Sequence, residues 1–217
     1  MKVKILKFKD LLKGIKSFIS CIGPPGSGKS TFGSNYYKKL YNVKNNYFET
    51  SGGDQTFTKG IWMVSDEERR KIPDYRYKDI LDVEGFQVDD SKSWKYVIIV
   101  AFLSTDLIIL NRNPRSDVVR KIMKIIENGL KRMQKRNIPI ILKNIYIQTD
   151  KKPIEELENF DYDKKTFKMI KFQNIYLPYI PVGREKDLLE YSEYSYNFEN
   201  ILEILNISNT KNHYNAV

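Results

Sequence analysis

Residues 23–31 read G-P-P-G-S-G-K-S-T, a glycine-rich phosphate loop of the pattern G-x-x-x-x-G-K-[ST]. Its glycines let successive backbone N–H groups converge on phosphate oxygens, and a helix opening at Lys29 adds the favourable end of its dipole. Gly23, Pro24, Pro25, Gly26, Ser27, Gly28, Lys29, Ser30 and Thr31 are therefore candidate nucleotide-binding residues. Lys29 would reach the terminal phosphates, which makes it a catalytic candidate as well. Ser30 would offer its hydroxyl to Mg2+, a hard cation that takes oxygen ligands and keeps several waters. Downstream, residues 79–85 read D-I-L-D-V-E-G and end an apolar run with a D-x-x-G pattern, Asp82 to Gly85. A carboxylate at such a strand end can hold Mg2+ through a water, and the Gly85 amide can meet the terminal phosphate and sense its loss. Between the two motifs, Thr58 can place its hydroxyl on Mg2+ and its backbone on the terminal phosphate, so that a triphosphate orders the surrounding loop.

Other chemistries are closed off by composition. The single histidine is His213, which removes Ser-His-Asp catalysis, Cys-His catalysis and clustered histidine metal sites together. The single cysteine, Cys21, cannot form an internal disulfide; it sits in the apolar run before the phosphate loop and reads as a packing residue in a reducing compartment. A formal charge of +10 favours anionic partners: nucleotides, nucleic acid or an anionic membrane surface. The lysine-rich residues 1–16 contain no secretory signal, and no lipidation motif closes the chain. Residues 94–110 form the most apolar window, but they fall short of the roughly 20 apolar residues of a spanning helix. A cytoplasmic protein, at most peripheral to membranes, is expected.

The elements that must position these groups follow from periodicity. With 217 residues, 41% of them hydrophobic, the chain can bury one substantial core, and apolar runs alternate with helical patterns as in a mostly parallel sheet flanked by helices. Strands are expected over 17–22, 60–64, 77–83, 106–110, 138–148 and 171–177. Helices are expected over 29–41 and 116–136, the latter with Val119, Ile122, Ile126, Leu130 and Met133 on one face, a densely basic opposite face, and Ser116 as its N-cap. Residues 42–60 and 150–165 read as long connections, and 185–207 has helical apolar spacing before a frayed tail. One domain, 1–217, accounts for all of it, with a core over 17–183 and a C-terminal helix and tail over 184–217.

Several motifs together resemble the guanylate-binding protein and atlastin branch of the dynamin-like GTPases. That family carries T-K-G-I-W-M followed by L-D-T-E-G; this chain has T-K-G-I-W-M from Thr58 to Met63 and L-D-V-E-G from Leu81 to Gly85. Asp90 to Trp94, Ala101 to Thr105 and then Asp106 to Asn111 look like the family's D-S-W helix, its A-x-L-L-S-S-T segment and the strand after it. Coverage runs from about residue 17 to residue 150. The resemblance implies a P-loop NTPase fold, a three-layer α/β/α domain with a mostly parallel central sheet. It also implies that residues 95–103 are helical, although their valines and isoleucines would pass for a strand.

The resemblance further implies GTP hydrolysis to GDP and phosphate with Mg2+, switched by Thr58 and Gly85. Ser30, Thr58 and Asp82 become the metal residues, Thr56 matches a family serine that handles the attacking water, and Glu84 matches a glutamate in the network behind it. Asp150, after Thr149, matches the aspartate that reads guanine, although Thr149 stands where the family has arginine. Gly26 stands where guanylate-binding proteins keep an arginine, a group worth about 10³- to 10⁵-fold in GTPases. Another residue or a partner chain supplies that charge, or hydrolysis is slow. GTP-dependent homodimerisation across the nucleotide face is implied too, whereas the family's long helical region has no counterpart in residues 151–217. Two other readings stay open: an ATP-dependent P-loop kinase or ATPase, and a nucleotide-binding adaptor with little or no hydrolysis that recruits partners through its basic helix.

Overall fold

The computed structural model describes residues 3–5, 18–44, 46–48, 60–71, 78–86, 91–111, 116–149, 163–178 and 187–210. Its centre is a seven-stranded sheet. The strands are β1 (Val3–Ile5), β2 (Phe18–Ile22), β3 (Ile61–Val64), β4 (Asp79–Val83), β5 (Ser104–Ile109), β6 (Asn144–Thr149) and β7 (Lys171–Tyr176). They lie in the order β1-β3-β4-β2-β5-β6-β7. From β4 to β7 every neighbouring pair is parallel, while β3 runs antiparallel to both β1 and β4.

The helices are α1 (Lys29–Tyr41), α2 (Asp66–Arg70), α3 (Ser91–Leu103), α4 (Ser116–Lys135) and α5 (Ser192–Thr210), the last preceded by a 3-10 turn at Leu188–Glu190. Because strand side chains alternate between faces, the sheet feeds two cores. Phe18, Ile22, Leu81, Val83, Leu107 and Ile109 pack under α3 and α4. Ile19, Cys21, Ile80 and Ile108 pack with Phe32, Tyr36, Phe198 and Leu205 of α1 and α5. All five residues of β2 are buried, as a central strand covered on both faces requires. The result is the expected three-layer α/β/α architecture.

All six expected strands and the long helices are present, and residues 95–103 are indeed helical, within α3. The differences are local. The fifth expected strand begins at Asn144 instead of 138; Pro139, which has no N–H to donate to a ladder, falls in the stretch before it. Ser116 is the first helical residue of α4 and not its cap. The 185–207 pattern divides at Tyr191, whose extended backbone ends the 3-10 turn. Two short elements, β1 and α2, carry too few residues for a periodic signal. No helix among the described residues is long and apolar enough to cross a membrane.

Candidate functional site

The phosphate loop leaves the C-terminal end of β2, the central strand, and enters α1. Gly28 precedes the helix in a left-handed conformation and has no side chain to cap it, so the N–H groups of the first turn face the loop. Lys29 folds back across the loop: its Nζ donates to the Pro24 carbonyl at 2.8 Å and to Ser27 Oγ at 3.4 Å. The Ser27 amide also donates to the Pro24 carbonyl, at 3.3 Å. Lys29 is buried, and loss of hydration pushes its pKa down to about 8, against the opposing pull of Asp82. Burial, reinforced by the same carboxylate, pushes the neighbouring Cys21 thiol up, so it stays protonated and serves packing.

Ser30 and Asp82 meet. Ser30 Oγ donates to Asp82 Oδ2 at 2.7 Å, joining the first turn of α1 to the end of β4 across 52 residues of sequence. Both contribute oxygen alone, a donor set suited to Mg2+. Among the described residues no three His, Cys, Asp or Glu side chains come together to form an all-protein metal cage. Mg2+ commonly takes one or two protein oxygens and completes its shell with water and substrate phosphate, and the Ser30–Asp82 pair fits that habit.

Past Asp82, the chain runs against the phosphate loop. The Phe86 amide donates to the Gly23 carbonyl at 2.7 Å. A Cβ on Gly85 would lie 2.9 Å from Pro25, so only glycine lets this segment approach so closely. Glu84 grips Gly60 twice: its amide donates to the Gly60 carbonyl at 2.8 Å, and its Oε2 accepts the Gly60 N–H at 2.8 Å. Thr56 and Thr58 lie outside the described residues, but Gly60, two residues on, is thereby fixed beside the D-x-x-G turn. Gly26 has φ +70°, a left-handed backbone that favours glycine, so an arginine there would be strained as well as absent.

Thr149 is the last residue of β6, opposite Tyr176 of β7, and Asp150 lies outside the described residues. Just before them, sequence reasoning missed Gln148. Its buried amide accepts the Asn111 N–H at 3.2 Å and donates to the Leu177 carbonyl at 3.0 Å, tying the ends of β5, β6 and β7 together. The available signal was an amide side chain inside an otherwise apolar strand, one that needs two partners if it is buried.

No family model matches the chain, and no curated protein does. Solved structures do. Toc33 from Arabidopsis thaliana, as a dimerization-deficient mutant, superposes with a TM-score of 0.50 at 14% identity, over 91% of this chain and 86% of that one. A chain of the signal recognition particle receptor SRb-GTP/SRX complex from Chaetomium thermophilum gives a TM-score of 0.43 at 9% identity, over 77% of this chain and 95% of that one. The likeness to Toc33 shows the fold: an α/β domain with a mostly parallel central sheet flanked by helices.

Proposed function

We propose that the chain binds GTP with Mg2+ on the phosphate loop and hydrolyses it to GDP and phosphate, as a divergent relative of the guanylate-binding and atlastin GTPases. The observation that carries this reading is the 2.7 Å contact between Ser30 and Asp82, with Gly85 seated on Pro25. The loop after β2, the Ser30–Asp82 pair and Gly85 thus lie together at one end of the sheet, the end where ligands of open α/β folds bind.

Lys29 leaves the Pro24 carbonyl for the terminal phosphates, which restore the charged environment that burial denies it. Backbone amides of the loop and the first turn of α1 bind phosphate oxygens and hold the γ-phosphoryl group in line. Ser30 and Asp82 would hold Mg2+, which when bound would neutralise phosphate charge. Thr56 orients a water for attack on the γ-phosphorus, the bond to the bridging oxygen breaks, and GDP leaves. Glu84 acts as a positioning residue through Gly60, holding the end of the segment that carries Thr56 and Thr58. Loss of the γ-phosphate removes the partner of the Gly85 amide and of Thr58, which releases both switches. Asp150 and Thr149 select guanine.

The glycine at position 26 favours a second reading, a GTP-binding adaptor with negligible turnover unless a partner copy contributes a cation. One experiment separates these readings. GTP and ATP affinities are measured with Mg2+, followed by single-turnover hydrolysis over a range of protein concentrations. Preferential GTP binding and a rate that climbs with concentration are expected, with Asp150→Asn relaxing the preference. Equal or tighter ATP binding overturns the GTPase reading in favour of an ATP-dependent enzyme, and GTP binding with flat, negligible turnover leaves the adaptor.

A further inference from the structure

We propose that the end of the molecule opposite the phosphate loop is a docking surface for an anionic lipid bilayer. Helix α4 returns from the C-terminal end of β5 to the N-terminal end of β6, so its last turn lies at the sheet edge remote from the nucleotide. The turn that leads into β7 reaches the same edge. Residues 163–170 pack against α4 there: Lys131 pairs with Asp163 at 3.1 Å, and Gln134 Nε2 donates to the Thr166 carbonyl at 3.3 Å. Directly beside them, the Lys171 amide donates to the Lys143 carbonyl at 2.8 Å.

Residues 131–143 and 163–171 together carry nine lysines and arginines and one acidic residue, Asp163. Its charge is engaged by Lys131. Arg132, Lys135 and Arg136 at the end of the helix, and Lys164, Lys165 and Lys168 on the turn, are all exposed. A helix dipole explains cations in the last turn of α4, but it says nothing about the lysines of the 163–170 turn.

Two large apolar side chains stand out among these cations. Ile138, just past the helix, is 45% exposed, and Met169, between Lys168 and Ile170, is 84% exposed. Both lie among the cations, so apolar surface and positive charge are presented on the same end of the molecule. Cations that attract acidic headgroups, with aliphatic side chains that enter the acyl boundary, make the two-part signature of interfacial binding. Nucleic acid fits less well, because of the two neighbouring rings Phe167 is buried and Phe172 is partly buried against the core, so neither offers an exposed aromatic platform for bases. Docking by this edge leaves the phosphate loop facing away from the bilayer.

The test is co-sedimentation of the full chain with vesicles of phosphatidylcholine alone, or with about a third phosphatidylserine. Binding to the mixed vesicles only is expected. Raising salt from about 0.1 M to about 0.5 M, or combining Arg132→Glu, Arg136→Glu and Lys168→Glu, should weaken it by about tenfold or more. Met169→Ser should weaken it about threefold or more while leaving the salt dependence unchanged. GTP affinity of all variants should match the parent, since every substitution is on an exposed side chain remote from the loop. The proposal is overturned by absent binding to the mixed vesicles, by equal binding to phosphatidylcholine alone, or by persistence in the charge-reversed chain. Tighter binding to a single-stranded oligonucleotide than to vesicles, lost in the same variant, overturns it in favour of nucleic acid.

Discussion

Lys29 holds its charge where burial penalises it. Its pKa is about 8 in place of 10.5, with loss of hydration the largest cause. Bound phosphates favour the cation and must raise that value again. The sign of the linkage follows: below about pH 7 the amine is protonated with or without ligand, and affinity is flat. Above pH 8 the free protein has lost the proton that the complex needs, so binding takes one up and affinity falls, by at most about tenfold per pH unit. Calorimetry of GTP binding in buffers of different ionisation enthalpy should show proton uptake near zero at about pH 6.5 and rising steeply by about pH 8.5. Binding without proton uptake at the higher pH would show that Lys29 keeps its contact with Pro24 and does not reach the phosphates. The lysine, Ser30, Asp82 and Gly85 are legible in sequence because each belongs to a motif whose spacing encodes the approach. Gln148 is not, since its two partners come from strand ends that only the sheet order brings together.

At the level of elements, the same glutamine makes a prediction. Gln148→Leu removes two buried hydrogen bonds that clamp β6 to the ends of β5 and β7, immediately before Thr149. The loss should cost on the order of 2 kcal/mol in urea denaturation and reduce the preference for GTP over ATP, with phosphate-dependent affinity largely kept. Unchanged stability and unchanged preference in the leucine variant would remove this role. Elements that fold around a local rule are legible from sequence to the residue, as α1 is: the loop glycines mark its start, and its end falls at Asn42, in the left-handed region that asparagine tolerates. Helix α3 defeats propensity, since Val97, Ile98, Ile99 and Val100 favour a strand locally. Its burial against β2 and β5 on one side and α4 on the other makes the helix the better packed state. The short β1 has no local signal and exists through its pairing with β3.

The whole molecule divides its labour between the two ends of the sheet. At the C-terminal ends, the loop between β2 and α1 gathers backbone amides and the buried amine of Lys29, which under the proposed function meet the nucleotide. At the N-terminal ends, charge is sealed inside: Arg69 pairs with Asp79, and the fully buried Asp106 accepts from Lys78 at 2.5 Å, Thr105 at 2.6 Å and Asn144 at 2.7 Å. These contacts join the starts of β4, β5 and β6, so this end locks the register on which the other end depends. Stability and ligand binding should therefore separate by substitution. Asp106→Ala leaves the Lys78 ammonium buried beside a neutral side chain and should cost about 3–5 kcal/mol, a large share of a domain's margin. Its folded fraction should still gain thermal stability from Mg2+ and GTP, because nothing at the phosphate loop has changed. Lys29→Ala should do the reverse: it removes an amine that burial disfavours, leaving the melting temperature near the parent's, and it abolishes the upward shift on adding nucleotide. Differential scanning of both variants with and without Mg2+ and GTP reads the two effects side by side. If Asp106→Ala loses the nucleotide-induced shift while remaining folded, the two ends are coupled and the sealed end takes part in binding.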